Sequence, residues 1–355
     1  MTNVLFEDKL NGENISGWKV PPDNFAKDEL YGKVFLFKSD SVFPVNPPWV
    51  GDLSWKNYRV EIELLPTGGH WFGIDFHVQE NGLEANDIQF FTYDTTHETV
   101  IEAASIHGGY EGACSWKLYP YSSQHPIMEK DKWIKLKIDV GESFANVYLG
   151  NMKNPVHTAY DLPYSSGGIR LTTIMKSKIY LRNLKITSLD DEELKPLVKD
   201  DWAEVRDKNI LKQWTVTKPF EAGFGLNELP SSLKSPETEW HEIETDSKGV
   251  VNLGQKFPDN NKKGTSFAKT TIYSESDKLV KAWVSYTDRC KIWSNGKEVF
   301  EGPKRGWNDP EANHDCRLKP DNYELILPLK KGDNEIILRS EVTENWGWGF
   351  WMRLE

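Results

Sequence analysis

The chain has 355 residues, a formal net charge of −11 and 38% hydrophobic residues, with a mean hydropathy of −0.60. That length exceeds what one core usually serves, so two domains are expected. The charge leaves no basic field for a polyanion, which argues against nucleic acid as a partner. No apolar run approaches the ~18 residues of a membrane span. The start, Met1-Thr-Asn-Val-Leu-Phe-Glu-Asp, has neither basic residues nor an apolar stretch. As given it points to the cytoplasm, and to an extracellular or periplasmic place if a leader was removed. Cys114, Cys290 and Cys316 have no metal-binding spacing, and their odd count suits reduced thiols. Cys290 and Cys316 share a domain and would pair only in an oxidising compartment. The 15 Trp, 13 Tyr and 16 Phe are many. Part of this is sandwich core, and part suits stacking platforms for the C–H faces of sugar rings.

Period-two patterns run from Phe6 to Ile186. In Tyr58-Arg-Val-Glu-Ile-Glu-Leu, the residues Tyr58, Val60, Ile62 and Leu64 alternate with Arg59, Glu61 and Glu63, which predicts a strand with one buried face. In His70 to Val78 the parity puts Phe72, Ile74, Phe76 and Val78 on one face and Trp71, Gly73, Asp75 and His77 on the other. Further strands are predicted at Asp87 to Tyr93, Val100 to His107, Trp133 to Val140, Ala145 to Leu149, Gly168 to Thr173 and Lys178 to Thr187. Turn signals such as Thr67-Gly-Gly and Glu80-Asn-Gly separate them. Many short strands at such spacing predict an all-β fold of two β-sandwich (jelly-roll) domains in tandem. The charged stretch from Leu189 to Pro196 marks the boundary, with a short helix expected before Trp202. The expected limits are 1–190 for the first sandwich, 191–239 for a connecting segment and 240–355 for the second. Asn295-Gly predicts a hairpin turn.

Leu5-Phe-Glu-Asp-Lys-Leu-Asn-Gly-Glu-Asn-Ile-Ser-Gly-Trp resembles the start of concanavalin A-like lectin/glucanase domains, most of all the 3-keto-disaccharide hydrolase group. The ending Arg182-Asn-Leu-Lys-Ile is similar to that group's last strand, and Trp55-Lys-Asn-Tyr-Arg-Val-Glu-Ile resembles a laminin-G-like strand. The resemblance covers about the first half. It implies a sandwich with a sugar cleft, lined in the group by an aromatic-Glu-x-Gln stretch. Here Gln89 matches the glutamine, and Asp87 stands where the glutamate would be. Phe267-Ala-Lys-Thr-Thr-Ile-Tyr-Ser, Lys291-Ile-Trp-Ser-Asn-Gly-Lys-Glu-Val-Phe and Leu329-Lys-Lys-Gly-Asp-Asn-Glu-Ile resemble galactose-binding-like sandwiches. That resemblance implies a second sandwich of a kind that often binds glycan.

By parity Trp71, Asp75 and His77 share a face of one strand, and Gln89, Phe91 and Tyr93 a face of the next. Pairing of these strands would give a cleft with stacking rings, a carboxylate and an imidazole. Asp75 and His77 at i, i+2 would have Cβ atoms roughly 6.5–7 Å apart, and an aspartate can orient a histidine as a base. A solvated polar face is the alternative. Glu102, His107 and, on a glycine-rich loop, Trp116 are further candidates for the rim. The Glu-x-Asp-x-x-Glu run of retaining glucanases on this fold is missing from the sequence. In the second domain Trp307, Asn308 and Asp309 form a polar-aromatic loop that could meet a ligand. The galactose-binding-like resemblance implies that a structural Ca²⁺ could be held, through Asp, Asn and carbonyl oxygens, while no other cofactor is indicated. The chain therefore reads as a carbohydrate-directed protein holding a glycan or glycoside in the first sandwich, with a second glycan site in the C-terminal one. A glycoside-processing hydrolase or eliminase using Asp75 and His77, and a sandwich using the groove for a non-sugar ligand, are the rivals. No oligomeric state is fixed by these patterns.

Overall fold

The computed structural model describes residues 3–28, 32–38, 47–67, 70–92, 99–107, 113–114, 127–173, 177–190, 192, 194–198, 209–246, 248–257, 263–305, 318–343 and 347–355. It is built almost wholly of antiparallel strands and divides into two compact units. The first is Met1–Glu111 with Tyr121–Asp200, the second Gly112–Pro120 with Asp201–Glu355. Among the described residues no helix is long and apolar enough to cross a membrane.

The strands up to the middle of the chain are β1 (Val4–Asp8), β2 (Trp18–Val20), β3 (Ala26–Asp28), β4 (Gly32–Lys38), β5 (Trp49–Val50), β6 (Tyr58–Pro66), β7 (His70–Val78), β8 (Ala85–Thr92), β9 (Thr99–His107) and the short β10 (Ala113–Cys114). There follow β11 (Ile134–Val140), β12 (Phe144–Leu149), β13 (His157–Tyr160), β14 (Gly168–Thr173) and β15 (Lys178–Ser188). In the first unit one sheet runs β13-β12-β11-β6-β15-β4-β3, with β1 also on β15. The facing sheet runs β9-β8-β7-β14-β5-β2. The predicted alternation holds along β6: Tyr58, Val60, Ile62 and Leu64 are buried between the sheets, opposite Phe72, Ile74 and Phe76 of β7 in the same core.

The Arg182-Asn-Leu-Lys-Ile ending has a structural reason. In β15 Ile179 and Leu181 point inward, and so do Leu184 and Ile186, a change of parity by one residue. The register with β6 shifts between Arg182 and Lys185. Asn183 absorbs the shift at φ +56°, in the left-handed region that asparagine tolerates better than most residues. Its N–H donates to Lys9 O at 3.2 Å.

The second unit adds β16 (Gln213–Thr217), β17 (Trp240–Glu244), β18 (Val251–Asn252), β19 (Gly264–Ser274), β20 (Lys278–Tyr286), β21 (Arg289–Ser294), β22 (Lys297–Glu301), β23 (Tyr323–Leu329), β24 (Gly332–Val342) and β25 (Gly349–Leu354). One sheet runs β17-β16-β19-β24-β21-β22 and the other β18-β25-β20-β23. One feature differs from the sequence reading. The stretch expected to be connecting segment contains β16, which alternates Trp214 and Val216 into the core and pairs with both β17 and β19. The C-terminal aromatic run buries both faces: Trp348 and Phe350 enter the main core, while Trp351 packs with Val250 and Leu318. The Asn295-Gly296 turn forms as predicted, both residues at positive φ between Ser294 and Lys297. Cys290 is a buried free thiol in this core; Cys316 and the helix expected before Trp202 lie outside the described residues.

The left-handed backbone at Asn183 sets a clear expectation. Asn183→Val should cost about 1–3 kcal/mol in urea denaturation, because a β-branched residue is strained there. Asn183→Gly should change stability by less than ~1 kcal/mol, since glycine adopts that φ freely.

Candidate functional site

The sheet β9-β8-β7-β14 turns Phe72, Ile74, Phe76, Ile88, Phe90, Ile169 and Leu171 into the core. The alternate residues therefore share its outward face. Register aligns them in rows: Trp71 opposite Phe91, Gly73 opposite Gln89, and Asp75 opposite Asp87. On the other flank of β7, Arg170 lies opposite Asp75 and Thr172 opposite Gly73. An outward sheet face is ordinarily solvated, yet Asp75, Asp87 and Thr172 are 0% exposed, Gln89 2%, and Trp71 and Arg170 4%.

These side chains hold one another in a line. Trp71 Nε1–H donates to Gln89 Oε1 at 2.5 Å. Gln89 Nε2–H donates to Asp87 Oδ2 at 2.5 Å. Asp87 faces Asp75 across β7 and β8, and Arg170 Nε–H donates to Asp75 Oδ2 in a buried ion pair. Arg170 Nη1–H reaches Gly82 O in the β7–β8 turn. Burial, and after it the charge of Asp75, raises the Asp87 carboxyl well above the ordinary carboxylate range. Oδ2 of Asp87 is taken by Gln89, and Oδ1 receives no donor. Oδ1 is therefore the oxygen free to carry the proton.

The structure corrects the expected role of His77. Parity along β7 breaks at this residue: Phe76 pairs with Ile169 and Val78 with Gly168, leaving His77 as a bulge at φ +53°. Its ring packs edge-on against core Tyr58 at 5.6 Å, and its N–H donates to Tyr58 Oη at 3.1 Å. Nε2 lies 3.0 Å from Lys56 O, and Nδ1 lies 2.7 Å from Tyr164 O and 3.0 Å from Asn86 Nδ2. Burial lowers the imidazole pKa, which favours the neutral ring. Asp75 and His77 thus do not project together, and the partner of Asp75 is Arg170. Trp71 is corrected likewise. It is no open platform, since its N–H is bonded to Gln89 and its ring meets Phe91 edge-on at 5.5 Å.

Gln89 and half-buried Phe91 stand on the outward face as expected. Glu102 sits opposite Gln89 in the β8–β9 register, but its side chain and that of His107 lie outside the described part. Tyr93, Trp116, Trp307, Asn308 and Asp309 also lie outside the described residues. Among the described residues no three His, Cys, Asp or Glu side chains gather as a metal site. Arg170 and Thr172 were not anticipated. Their signal was Arg170 and Thr172 alternating with Ile169 and Leu171.

No protein-family model matches the chain, and no curated protein matches it. Solved structures do. The carbohydrate-binding module CBM66 from Bacillus subtilis is 14% identical, with 49% of this chain and 98% of that one covered and a TM-score of 0.35. A putative glycosyl hydrolase from Parabacteroides distasonis is 14% identical over 51% of this chain and 92% of its own, with a TM-score of 0.36. The Caenorhabditis elegans galectin LEC-6 is 14% identical over 42% of this chain and 94% of its own, with a TM-score of 0.27.

Two expectations follow from this geometry. Tyr58→Phe strips His77 N–H of its acceptor, and should cost about 1–3 kcal/mol in chemical denaturation. The second concerns the acid pair. Asp75→Asn leaves the buried Arg170 without its counter-charge and should cost roughly 3–5 kcal/mol. Asp87→Asn mimics the protonated acid and should be well tolerated at neutral pH. The sign of its pH effect is fixed. The folded pKa of Asp87 lies above the ordinary 3.8, so its contribution is complete below that pH and is lost as pH rises toward the folded pKa. The variant lacks this loss, so its stability relative to the parent should rise with pH above 3.8, by at most ~1.4 kcal/mol per unit. His77, with its pKa lowered from 6.5, acts in the opposite sense in both proteins and cancels in the difference. Urea titrations of both at several pH values read this directly.

Proposed function

We propose that the first sandwich is a carbohydrate-recognition module. Its ligand lies on the outward face of β7, β8, β9 and β14 at the edge marked by half-buried Phe91, with the buried line from Trp71 to Arg170 beneath. The observation that carries this reading is the buried row of mutually bonded polar side chains on a sheet face that would otherwise be solvated. Planar amide, carboxyl and guanidinium groups fixed by one another form a preorganised set, and preorganisation lowers the cost of binding. The half-buried ring of Phe91 lies in the same face to meet a C–H surface, and the row beneath fixes the shape of that face.

A glycoside-processing role has one observation in its favour: Asp87 favours retaining its proton, as a general acid must. Against double displacement or inversion stands the pairing itself. Carboxyls that work this way flank a glycosidic bond, whereas Asp75 and Asp87 face each other across β7 and β8 and are both 0% exposed. Binding is therefore the primary reading, and Asp87 the residue on which an activity would turn.

A glycan array followed by calorimetry on the best ligand tests this. The full chain should bind at least one mono- or oligosaccharide, and Gln89→Ala should weaken that binding ~10-fold or more. Phe91→Ala, at a half-buried position, should weaken it without a large shift in unfolding midpoint. A chain that binds no sugar on a broad array, or binds equally after both substitutions, removes this face as the site. If chromogenic glycosides are turned over, Asp87→Asn should cut the rate by ~10²–10⁴.

A further inference from the structure

The outward face of the six-stranded sheet in the second unit is divided in two. Over one part the segment 220–239 lies as a roof. Phe220 and Phe224 stack at 4.3 Å and, with Leu229 and Leu233, pack over Phe267, Trp293 and Ile337. Arg339, 1% exposed, anchors the roof by donating Nε–H to Phe224 O at 2.9 Å.

The other part, across β17, β16 and β19, is a groove of about 760 Å³ lined by Gln213, Thr215, Glu242, Glu244, Lys269 and Thr271. Where the roof ends, a second hollow of about 320 Å³ opens against Leu229, Leu233, Pro236, Trp240 and Ile337. Lys269 lines both, with Nζ 4.2 Å from the centre of the Trp240 ring. The row Glu242, Thr215, Lys269, Ile337 crosses four strands in register, roughly 14 Å at the usual strand spacing.

The lining states what would fit. Lys212, Lys234 and Lys269 are matched by Glu242, Glu244 and Glu335, three charges of each sign. A balanced lining offers no field to a polyanion or a polycation, so the complementary ligand is neutral. One end is apolar and aromatic. The other offers amide, hydroxyl, carboxylate and ammonium groups. Thr215 Oγ1 is buried with no hydrogen-bond partner among the described residues, an unspent hydroxyl in the floor. A neutral chain with C–H faces and many hydroxyls satisfies both ends.

We propose that this trough is a second binding site and that its occupant is a strand of neutral polysaccharide. The proposal depends on the carbohydrate reading of the chain, but on none of the residues of the first sandwich. Native affinity electrophoresis of the full chain tests it, in gels cast with soluble neutral β-glucan, xylan or galactomannan. At least one polymer should retard the parent. Trp240→Ala should lose that retardation, but Trp240 also packs beneath the roof. Thr271→Arg is therefore the deciding variant, because Thr271 is exposed and an arginine there fills the groove without entering the core. Thr271→Arg should weaken the interaction at least ~10-fold, the worth of one good contact, with an unchanged melting temperature. Lys297→Ala, at an exposed position of β22 that lines neither hollow, should be retarded like the parent. If no polymer retards the parent, or if Thr271→Arg runs as the parent does in a retarding gel, the trough is not a site. Retardation lost in Gln89→Ala but kept in Thr271→Arg overturns the trough alone and leaves the first-sandwich reading standing.

Discussion

The charge on Arg170 organises the first sandwich's outward face. A guanidinium does not give up its proton inside a protein, and this one is 4% exposed. A buried cation without a counter-charge would cost several kcal/mol, so a carboxylate must stand beside it. Asp75, directly opposite in the β7–β14 register, supplies it. Asp87, directly opposite Asp75 on the other flank, would add a second negative charge to the same dry row. Its raised pKa answers that problem. With Asp87 protonated the row holds one cation, one anion and one neutral acid, and sums to zero. The remaining orientations follow in sequence, Gln89 turned by Asp87 and the Trp71 indole turned by Gln89.

Two backbone features make room for that row and end it. At Gly73 any Cβ would stand 2.4 Å from Thr172 Oγ1 and 3.1 Å from Asp87 Oδ1, so a larger residue would displace both polar neighbours. The glycine is needed here for space between the rows, not for an unusual φ. Four residues later the bulge at His77 breaks the alternation. Without it the imidazole would join Asp75 on the outward face. With it the ring packs on Tyr58, whose hydroxyl accepts the His77 N–H. One strand thus delivers a carboxylate to one side of the sheet and a neutral imidazole to the other.

The sandwich architecture was legible because alternation in β6 and most of β7 is strong and local. So was the outward placement of Gln89, Asp87 and Asp75, which needs only parity. What failed was non-local. A histidine at positive φ has no local signature, and the bulge is stabilised by Lys56, Tyr58, Tyr164 and Asn86, distant in sequence. Gly73 looked the more natural place for a bulge, since glycine inside a strand often marks one. Arg170 was passed over because a strand with Ile169 and Leu171 reads as core, and its pairing with Asp75 spans 95 residues. β16 was missed for a different reason. Its alternation covers only five residues, and the following stretch is rich in Gly, Pro and Ser. That stretch nonetheless folds down as the roof of Phe220, Phe224, Leu229 and Leu233.

Both sandwiches spend their inner faces on the core, so the binding proposed above falls to the outward faces, and these are prepared differently. In the first, the polar groups are already bonded to one another, and few free donors or acceptors remain. A ligand must match what is left, such as Thr172 Oγ1, which has no partner among the described residues. Such a site gains selectivity, because a mismatched hydroxyl leaves a buried group unpaired. In the second, Lys269, Glu242 and Gln213 line an open trough with long, rotatable side chains. Ordering them costs roughly 0.5–1.5 kcal/mol apiece, which weakens each contact while allowing many ligands to fit. On the proposed reading, the buried row would favour discrimination among short ligands, and the trough affinity that accumulates along a polymer.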